Sequence, residues 1–491
     1  MKAVVLAGGE GTRLRPLTFT RPKPMLPLGP DPIIHYVLSH LAESGFHDII
    51  VIPGYLGDQI MGYVGDGSKF GVGVTYVVEP EGVTFGTAGS LKLAAHLLDD
   101  TFLVVQSDVI TELPLREMGL FHSDRGGEVS IGLTTVEDPS SYGVAVVDEG
   151  DEIVKFVEKP PIGSSESNLV STGFYILEPD VVDYIENERW DFAKDLFPYL
   201  MRLGQHLFGY ASDAFWVDVG ELKGYLTGVN WVLRNIVKNP PRDARMIGPP
   251  NEAVFARGDI TVGRNAKITG PAWVENGTTL GDGVQVKPGT VLKENSQLLS
   301  GTSVEAGVVF ERAVIGHNCS VKSTIIGERA VVGNDVTIDR AIIGQGCNIG
   351  ETVKILSGSK LWPNTRIQAG STVDGVVAVP RDKSFYFDTG LGQYSGVLAS
   401  SIEDFLGAFK IVPIEALEYH IGRRDFEKWT KDVLGSVLLA DNIRTLRRSQ
   451  LKGEDLRLQL IGVVQEWAQR VSSPQTGPNE EKNAEKHTTR V

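Results

Sequence analysis

Lys2-Ala3-Val4-Val5-Leu6-Ala7-Gly8-Gly9-Glu10-Gly11-Thr12-Arg13-Leu14-Arg15-Pro16-Leu17-Thr18 opens the chain with a short apolar strand that runs into a glycine loop. The strand reads as Lys2–Leu6, buried on both faces. Gly8, Gly9 and Gly11 let backbone N–H groups approach a polyphosphate closely. Arg13 and Lys23 supply cations to the same loop, and Pro22 and Pro24 on either side of Lys23 predict an extended backbone there. A dinucleotide fold would want a third glycine where Leu14 stands. A kinase-type phosphate loop needs Gly-Lys-Ser/Thr, which is absent, and a functionless glycine turn would not bring two cations with it.

Outward from this loop, residues 1–235 alternate strands and helices. Asp48–Ile52, Phe102–Gln106 and Val129–Thr135 read as strands, and Ile33–Ser44 and Gly89–Leu98 as helices. Such alternation predicts an α/β domain with a mostly parallel sheet covered on both faces. Ligands of such sheets bind beyond the carboxyl ends of the strands. Asp108 follows one predicted strand, and Asp218 follows the apolar stretch Phe215–Val217, so both carboxylates can reach one crevice.

A different pattern begins at Val262. Apolar residues recur at Val262, Ile268, Val274, Leu280, Val286, Leu292, Leu298, Val304 and Phe310, and on through Ile315, Val321, Ile326, Val332, Ile338 and Ile343 to Val379. Nearly every step is six residues and a few are five. A second slot, four residues on, is small or β-branched, and it holds both cysteines, Cys319 and Cys347. So short a period predicts a solenoid of tiny strands and tight turns. Three hexads per coil give about six coils. The slot favours reading each cysteine as a small inward apolar residue. His317, the one histidine of the repeat, reads as a turn residue facing solvent.

Residues 401–471 have helical periodicity, with Ser401 placed as an N-cap, and read as a small helical bundle. The expected organisation is a catalytic domain at 1–235, a linker at 236–257 and a β-helix at 258–380. A second linker at 381–400, the helical domain at 401–471 and a disordered tail at 472–491 follow.

Composition narrows the function. The 491 residues hold 47 Lys and Arg against 62 Asp and Glu, a net charge of −15, which argues against nucleic-acid binding. Two cysteines rule out a disulfide framework and make a reducing compartment the default. No apolar run is long enough to span a membrane, and the first residues are too short an apolar run for a secretory signal, so a cytoplasmic protein without membrane partners is expected. The 56 glycines are about 11% of the chain, against a usual ~7%, and 18 of them fall in residues 258–379.

The glycine-loop string resembles that of the sugar-1-phosphate nucleotidyltransferases, also called nucleoside-diphosphate-sugar pyrophosphorylases. The resemblance extends through Gly86-Thr87-Ala88-Gly89, Ser107-Asp108-Val109, Tyr142-Gly143-Val144, Glu158-Lys159-Pro160, Ser171-Thr172-Gly173 and Trp216-Val217-Asp218-Val219-Gly220. Within the family, the Pro-Lys-Pro-Met segment, Gly-Thr-Ala-Gly and the appended left-handed β-helix look most like mannose-1-phosphate guanylyltransferases. The resemblance implies a Rossmann-like catalytic domain and transfer of a nucleotidyl group from an NTP to a hexose-1-phosphate, GTP and mannose-1-phosphate being favoured. It implies Mg²⁺ on Asp108 and Asp218, Arg13 on the leaving pyrophosphate and Lys23 at the transferring phosphoryl region. Lys159 would bind the sugar phosphate and Glu158 the sugar hydroxyls. Gly143 and Gly173 would let backbone approach the sugar. Leu6, Gly8 and Gly86 would line the nucleoside pocket, with Gly9, Gly11 and Thr12 also among the substrate-binding residues.

Two departures and two alternatives go with it. Gln106-Ser107-Asp108 stands where the family often has Asn-Gly-Asp, and Ser171-Thr172-Gly173 where it often has Asn-Ala-Gly, which leaves the sugar open. The alternatives are a glucose-1-phosphate uridylyl- or thymidylyltransferase and a non-catalytic regulatory subunit that binds nucleotide sugars. The presence of Arg13, Lys23, Asp108 and Asp218 together favours an enzyme. Trp216 reads as core packing, and Glu79 either as a contact for a donor on the base or as a surface carboxylate. The β-helix is expected to serve helix stacking, homo-oligomer contacts or an effector surface.

Overall fold

A computed structural model describes residues 1–80, 83, 85–238, 240–249, 252–375, 383–434 and 436–472, in two compact units, Met1–Pro241 and Arg242–Val491. The expected tail from 473 onward, the end of the repeat at Val379 and the boundary at 380–381 lie outside the described residues.

The strands of the first unit are β1 (Lys2–Ala7), β2 (Asp48–Pro53), β3 (Gly73–Tyr76), β4 (Phe102–Gln106), β5 (Val109–Thr111), β6 (Val129–Thr135), β7 (Gly143–Val147), β8 (Ile153–Glu158), β9 (Leu169–Leu177), β10 (Leu207–Ala211) and β11 (Trp216–Asp218). The main order is β10-β6-β9-β4-β1-β2-β3, with β7 and β8 attached to β9 and a separate ribbon of β5 and β11. Strands β4, β1, β2 and β3 run parallel, as do β6 and β10. Strand β9 runs antiparallel to both β4 and β6, so six of the seven strands in this order share one direction and the sheet is mostly parallel, as expected, with β9 reversed. From Ala3 to Ala7, β1 is buried on both faces, as its unbroken apolar run requires.

Helices α1 (Ile33–Glu43), α2 (Gly57–Val64), α3 (Thr87–Lys92), α4 (Leu115–Arg125), α5 (Phe197–Arg202) and α6 (Leu222–Asn235) complete the unit. The helix expected over Gly89–Leu98 starts earlier and stops at Lys92, and Ala95–Leu97 is a separate 3₁₀ turn. In α6, Tyr225, Val229, Val232 and Leu233 are buried at helical spacing. A 26-residue core lies between sheet and helices, with Val4, Leu6 and Val104 meeting Ala88, Leu91, Phe192 and Phe197.

In the second unit the repeat closes into a parallel β-helix. Two of its sheets contain seven rungs, so the solenoid has seven coils where about six were expected. One position of the expected inward column differs. Val309, not Phe310, continues the inward column, paired with Leu292 below and Ile326 above. The short steps therefore end at Val309, Ile326 and Ile343, 17 residues apart, and share one corner. Ala306, Ser323 and Arg340 stand there with φ of 49°, 47° and 45°. Several glycines serve stacking and not turn geometry: a Cβ on Gly316 would meet Gly333 O of the next coil at 2.5 Å. Cys319 and Cys347 are buried and free, with Sγ donating to Gly333 O and Trp362 O, each at 3.0 Å. Burial raises both thiols, Cys347 to about 11. His317 is exposed in its turn, as expected.

Both stretches expected as linkers contain structure. Ala244–Met246 pairs with Val254–Arg257 and caps the first coil. Phe385–Asp388 and Tyr394–Ala399 form a hairpin. Its Phe385 and Phe387 pack among Phe405, Phe409, Phe426 and Trp429, so the hairpin supplies part of the helical core. Alternation of Phe385 and Phe387 is the period-2 signal that marks it as a strand. Ser401 caps its helix by accepting from Asp404 N–H at 3.1 Å. No helix among the described residues is long and apolar enough to cross a membrane.

Candidate active site

Strands β1 and β4 run side by side with Leu6 opposite Gln106, so the glycine loop and the Ser107-Asp108 turn leave the sheet at the same edge. The β5–β11 ribbon brings in the second carboxylate: Asp218 pairs with Val109, and Val219 N–H donates to Asp108 O at 3.0 Å. Gly11 has a φ of 61°, and its loop is pinned by Thr18 Oγ1 donating to Gly11 O at 3.0 Å. A Cβ on Gly11 would stand 3.0 Å from Lys23 Cβ, so the glycine lets the lysine pass close behind the loop. Lys23 does not sit in extended backbone as expected. Pro22 is extended, but Lys23–Met25 form a 3₁₀ turn that aims the side chain inward.

Lys23 is 6% exposed, and its Nζ donates to Asp108 Oδ2 at 2.6 Å and Asp218 Oδ1 at 3.3 Å. Arg13 Nη2 reaches Asp218 Oδ2 at 3.4 Å from the open side. Burial opposes charge on Lys23, but the two carboxylates outweigh it and hold its pKa above the ordinary lysine value. Asp218 is also raised: burial and the Asp108 charge prevail over its share of the ammonium and of Arg13. Two carboxylates thus face one buried ammonium and, from the open side, the Arg13 guanidinium. Among the described residues, buried Asp108 Oδ1 has no hydrogen-bond partner.

That orphan oxygen, beside a second carboxylate, suits a hard divalent cation, which takes carboxylate oxygens and completes its shell with phosphate and water. Among the described residues no cluster of three or more His, Cys, Asp or Glu forms a cage. Asp108 and Asp218 therefore fit an ion that arrives with, or is completed by, a phosphate ligand.

Two cavities meet at this cluster. One, of 340 Å³, is lined by Leu6, Gly8, Gly9, Gly11, Thr12, Arg13, Lys23, Gly86 and Asp108. The other, of 490 Å³, is lined by Arg13, Gly143, Glu158, Lys159, Gly173 and Asp218. Every catalytic, substrate-binding or metal candidate taken from the sequence thus lines one of two adjoining cavities, and Lys23, Asp108, Asp218 and Arg13 stand where they join. Gly143 faces Glu158 across the β7–β8 pair, and a Cβ there would meet the Phe156 ring at 2.7 Å. Gly173 has a φ of 82° beside Gln106. Lys159, with a φ of 48°, reaches Glu158 Oε1 at 3.0 Å and is otherwise largely exposed.

Sequence reasoning missed several members. Asp191 lines both cavities, and its Oδ1 accepts from Thr87 N–H at 3.0 Å and Thr87 Oγ1–H at 3.2 Å. The two residues are 104 apart, so no local pattern could pair them. Gly86 and Gly89 make this contact possible: a Cβ on Gly89 would lie 1.9 Å from Glu188 O. Lys194, in the π-helical turn Phe192–Leu196, adds a cation to the second cavity. Trp216 is half-buried on that cavity's wall, not in the core. Its Nε1 donates to Thr172 O at 2.9 Å, and its ring meets Tyr142 edge-on at 5.4 Å.

Comparison with known proteins agrees with this geometry. The Nucleotidyl transferase family matches residues 2–235, and the GMPPB C-terminal domain matches residues 256–343. A UTP–glucose-1-phosphate uridylyltransferase of Synechocystis sp. is 34% identical over 330 residues, covering 64% of this chain and 84% of that protein. A mannose-1-phosphate guanyltransferase of Pichia angusta is 34% identical over 328 residues, 64% of this chain and 88% of that protein. Its counterpart in Saccharomyces cerevisiae is 40% identical over 248 residues, 49% of this chain and 67% of that protein.

Proposed function

The chain belongs to the sugar-1-phosphate nucleotidyltransferase family, and we propose that it joins GTP to mannose-1-phosphate, forming GDP-mannose and pyrophosphate. The observation that carries this reading is the meeting of the two cavities at Lys23, Asp108, Asp218 and Arg13. One cavity takes the nucleotide and the other the sugar phosphate. An oxygen of the sugar phosphate attacks the α-phosphorus of GTP as the bond to the β-phosphate oxygen breaks, and that oxygen leaves on pyrophosphate. Such a transfer needs in-line placement and neutralised charge more than covalent help from the protein.

Each residue has a part. Gly8, Gly9, Gly11 and Thr12 offer backbone N–H groups to the triphosphate, and Leu6 and Gly86 border the nucleoside. Lys23 places its charge at the transferring phosphoryl group, held in position by the two carboxylates. Arg13, exposed on the open side of the cluster, accompanies the leaving pyrophosphate. Lys159 and Lys194 balance the sugar phosphate, Glu158 accepts from sugar hydroxyls, and Gly143 and Gly173 let backbone come close. A divalent cation belongs to this chemistry, and we assign Mg²⁺: held by Asp108 and Asp218, it would neutralise charge on the phosphates.

The Synechocystis relative favours a second reading, the same transfer from UTP to glucose-1-phosphate. Pyrophosphate release across a matrix of NTPs and sugar-1-phosphates separates the two. GTP with mannose-1-phosphate is expected to be the best pair, and no turnover with any pair would sink both readings. Two buried free thiols suit a reducing, cytoplasmic setting. Self-association through the solenoid belongs to the same proposal, and analytical ultracentrifugation tests it.

A further inference from the structure

Helix α3 begins at the wall that the two cavities share, for Thr87 and Asp191 line both. The first four N–H groups of a helix have no partner within it. In α3, residues 188–191 take all four. Gly86 N–H donates to Glu188 O at 2.8 Å, and Ala88 and Gly89 N–H donate to Trp190 O at 2.9 and 3.0 Å. Thr87 N–H donates to Asp191 Oδ1, which also accepts from the Thr87 hydroxyl. The seam then closes on itself: Thr87 Oγ1 accepts from Phe192 N–H at 3.1 Å, and Asp191 N–H donates to Asp195 Oδ2 at 2.8 Å. Backbone lies directly on backbone here, since a Cβ on Gly86 would stand 2.3 Å from Trp190 O. Gly86 faces the 340 Å³ cavity, and three residues past Asp191 the π-helical turn presents Lys194 to the 490 Å³ cavity.

We propose that the Thr87–Asp191 seam couples the two substrate sites, so that a nucleotide held against α3 raises the affinity for the sugar phosphate, and the reverse. The start of α3 and the turn that carries Lys194 hold each other through these bonds, and neither shifts alone without leaving donors and acceptors unpaired. A ligand that fixes one side of the seam fixes the other, and the second ligand then orders less of the protein on arrival. Linkage makes the effect mutual: each ligand improves the binding of the other by the same factor. Asp191 is here a positioning residue, acting through Thr87 and Lys194. This inference rests on the nucleotidyl-transfer reading above, and it adds how the two sites communicate.

The test is calorimetry on the intact chain with Mg²⁺, using mannose-1-phosphate and a GTP analogue whose methylene bridge between the α- and β-phosphates blocks transfer. The analogue should tighten mannose-1-phosphate binding by about 5-fold or more, and mannose-1-phosphate should tighten the analogue by the same factor. Asp191→Ala should bring that factor close to 1. Asp191→Asn, which keeps an acceptor for Thr87, should retain most of it. Amide hydrogen exchange adds a second readout. In the wild type, mannose-1-phosphate alone should slow exchange in residues 86–92, and the analogue alone should slow it in residues 188–196. Both cross-effects should vanish in Asp191→Ala. If circular dichroism shows Asp191→Ala to be unfolded, Thr87→Val, which removes only the two bonds of the hydroxyl, should lower the factor in its place. Equal binding of mannose-1-phosphate with and without the analogue in the wild type would overturn the proposal. So would an Asp191→Ala variant whose affinities fall while the factor stays, which would make the seam structural alone. If another pair of substrates proves best in the pyrophosphate-release matrix, that pair is used in the same test. No turnover with any pair would instead sink nucleotidyl transfer itself.

Discussion

Replacing Lys23 with methionine separates its part in stability from its part in catalysis. The stem of the side chain keeps nearly the same volume, so packing behind Gly11 survives, and only the ammonium is lost. Asp108 and Asp218 then share a crevice with no buried cation between them. Removing one partner of a buried ion pair costs about 3–5 kcal/mol. Asp108 keeps 28% of its side chain exposed and Asp218 keeps 18%, so water relieves part of the repulsion. That places the cost near the lower end, about 3 kcal/mol, or roughly a 6–12 °C fall in Tm for a unit of this size. Thermal unfolding by circular dichroism measures it. Lys23→Met with Asp108→Asn should recover much of the loss, because the second change removes the charge that the first stranded. Added Mg²⁺ should raise the Tm of Lys23→Met more than that of the wild type, since it replaces the missing positive charge. An unchanged Tm in Lys23→Met, or strictly additive losses in the double variant, would refute the electrostatic account of this cluster.

Gly220→Ala should act on rate alone. Its Cβ would lie 2.6 Å from Arg13 Nη2 and 2.7 Å from Asp218 Oδ2, and both can shift without unfolding the sheet. Displacement on the 1 Å scale predicts about a 10²-fold fall in kcat at unchanged Tm, and a fully active variant would contradict the placement of Arg13. Asp191→Ala leaves Thr87 N–H and Oγ1–H without their acceptor at a cost of about 1–3 kcal/mol. It should weaken binding of both substrates, read by calorimetry, and an effect on one alone would show that Asp191 does not serve both cavities. Cys319 and Cys347 should resist a thiol reagent in the native protein: with Cys347 raised to about 11, only ~0.1% of it is thiolate at pH 8. Rapid native labelling would contradict their burial.

What could be read from sequence followed from how local each signal is. The glycine loop and the strands that end at Ala7 and Gln106 are contiguous patterns, and the structure places them within a residue or so. The solenoid was legible because its period is short and repeated. Its one slipped register, at Phe310, arose because Val308, Val309 and Phe310 are all apolar and periodicity alone cannot choose among them. Only stacking on Leu292 and Ile326 decides for Val309. The hairpin at Phe385–Ala399 was hidden because its two-strand pattern is brief and its partner is the helical core. The antiparallel run of β9 is a matter of topology, on which its own residues are silent. In the site, the candidates grouped correctly because motif residues occupy strand ends. Asp191 and Lys194 escaped because a contact across a hundred residues leaves no local trace, and Trp216 because half-burial on a cavity wall and burial in a core look alike in sequence.

At the junction of the two cavities, Asp108 Oδ2 holds Lys23 while its buried Oδ1 lacks a partner among the described residues. The most direct measurement is steady-state pyrophosphate release from GTP and mannose-1-phosphate by Asp108→Asn beside the wild type, with circular dichroism to establish that both are folded. Loss of the charge proposed to hold the cation is worth several kcal/mol in the transition state, so turnover should fall by on the order of 10³-fold with the fold intact. A folded Asp108→Asn protein within a few-fold of wild-type activity would contradict the claim that chemistry occurs at this junction.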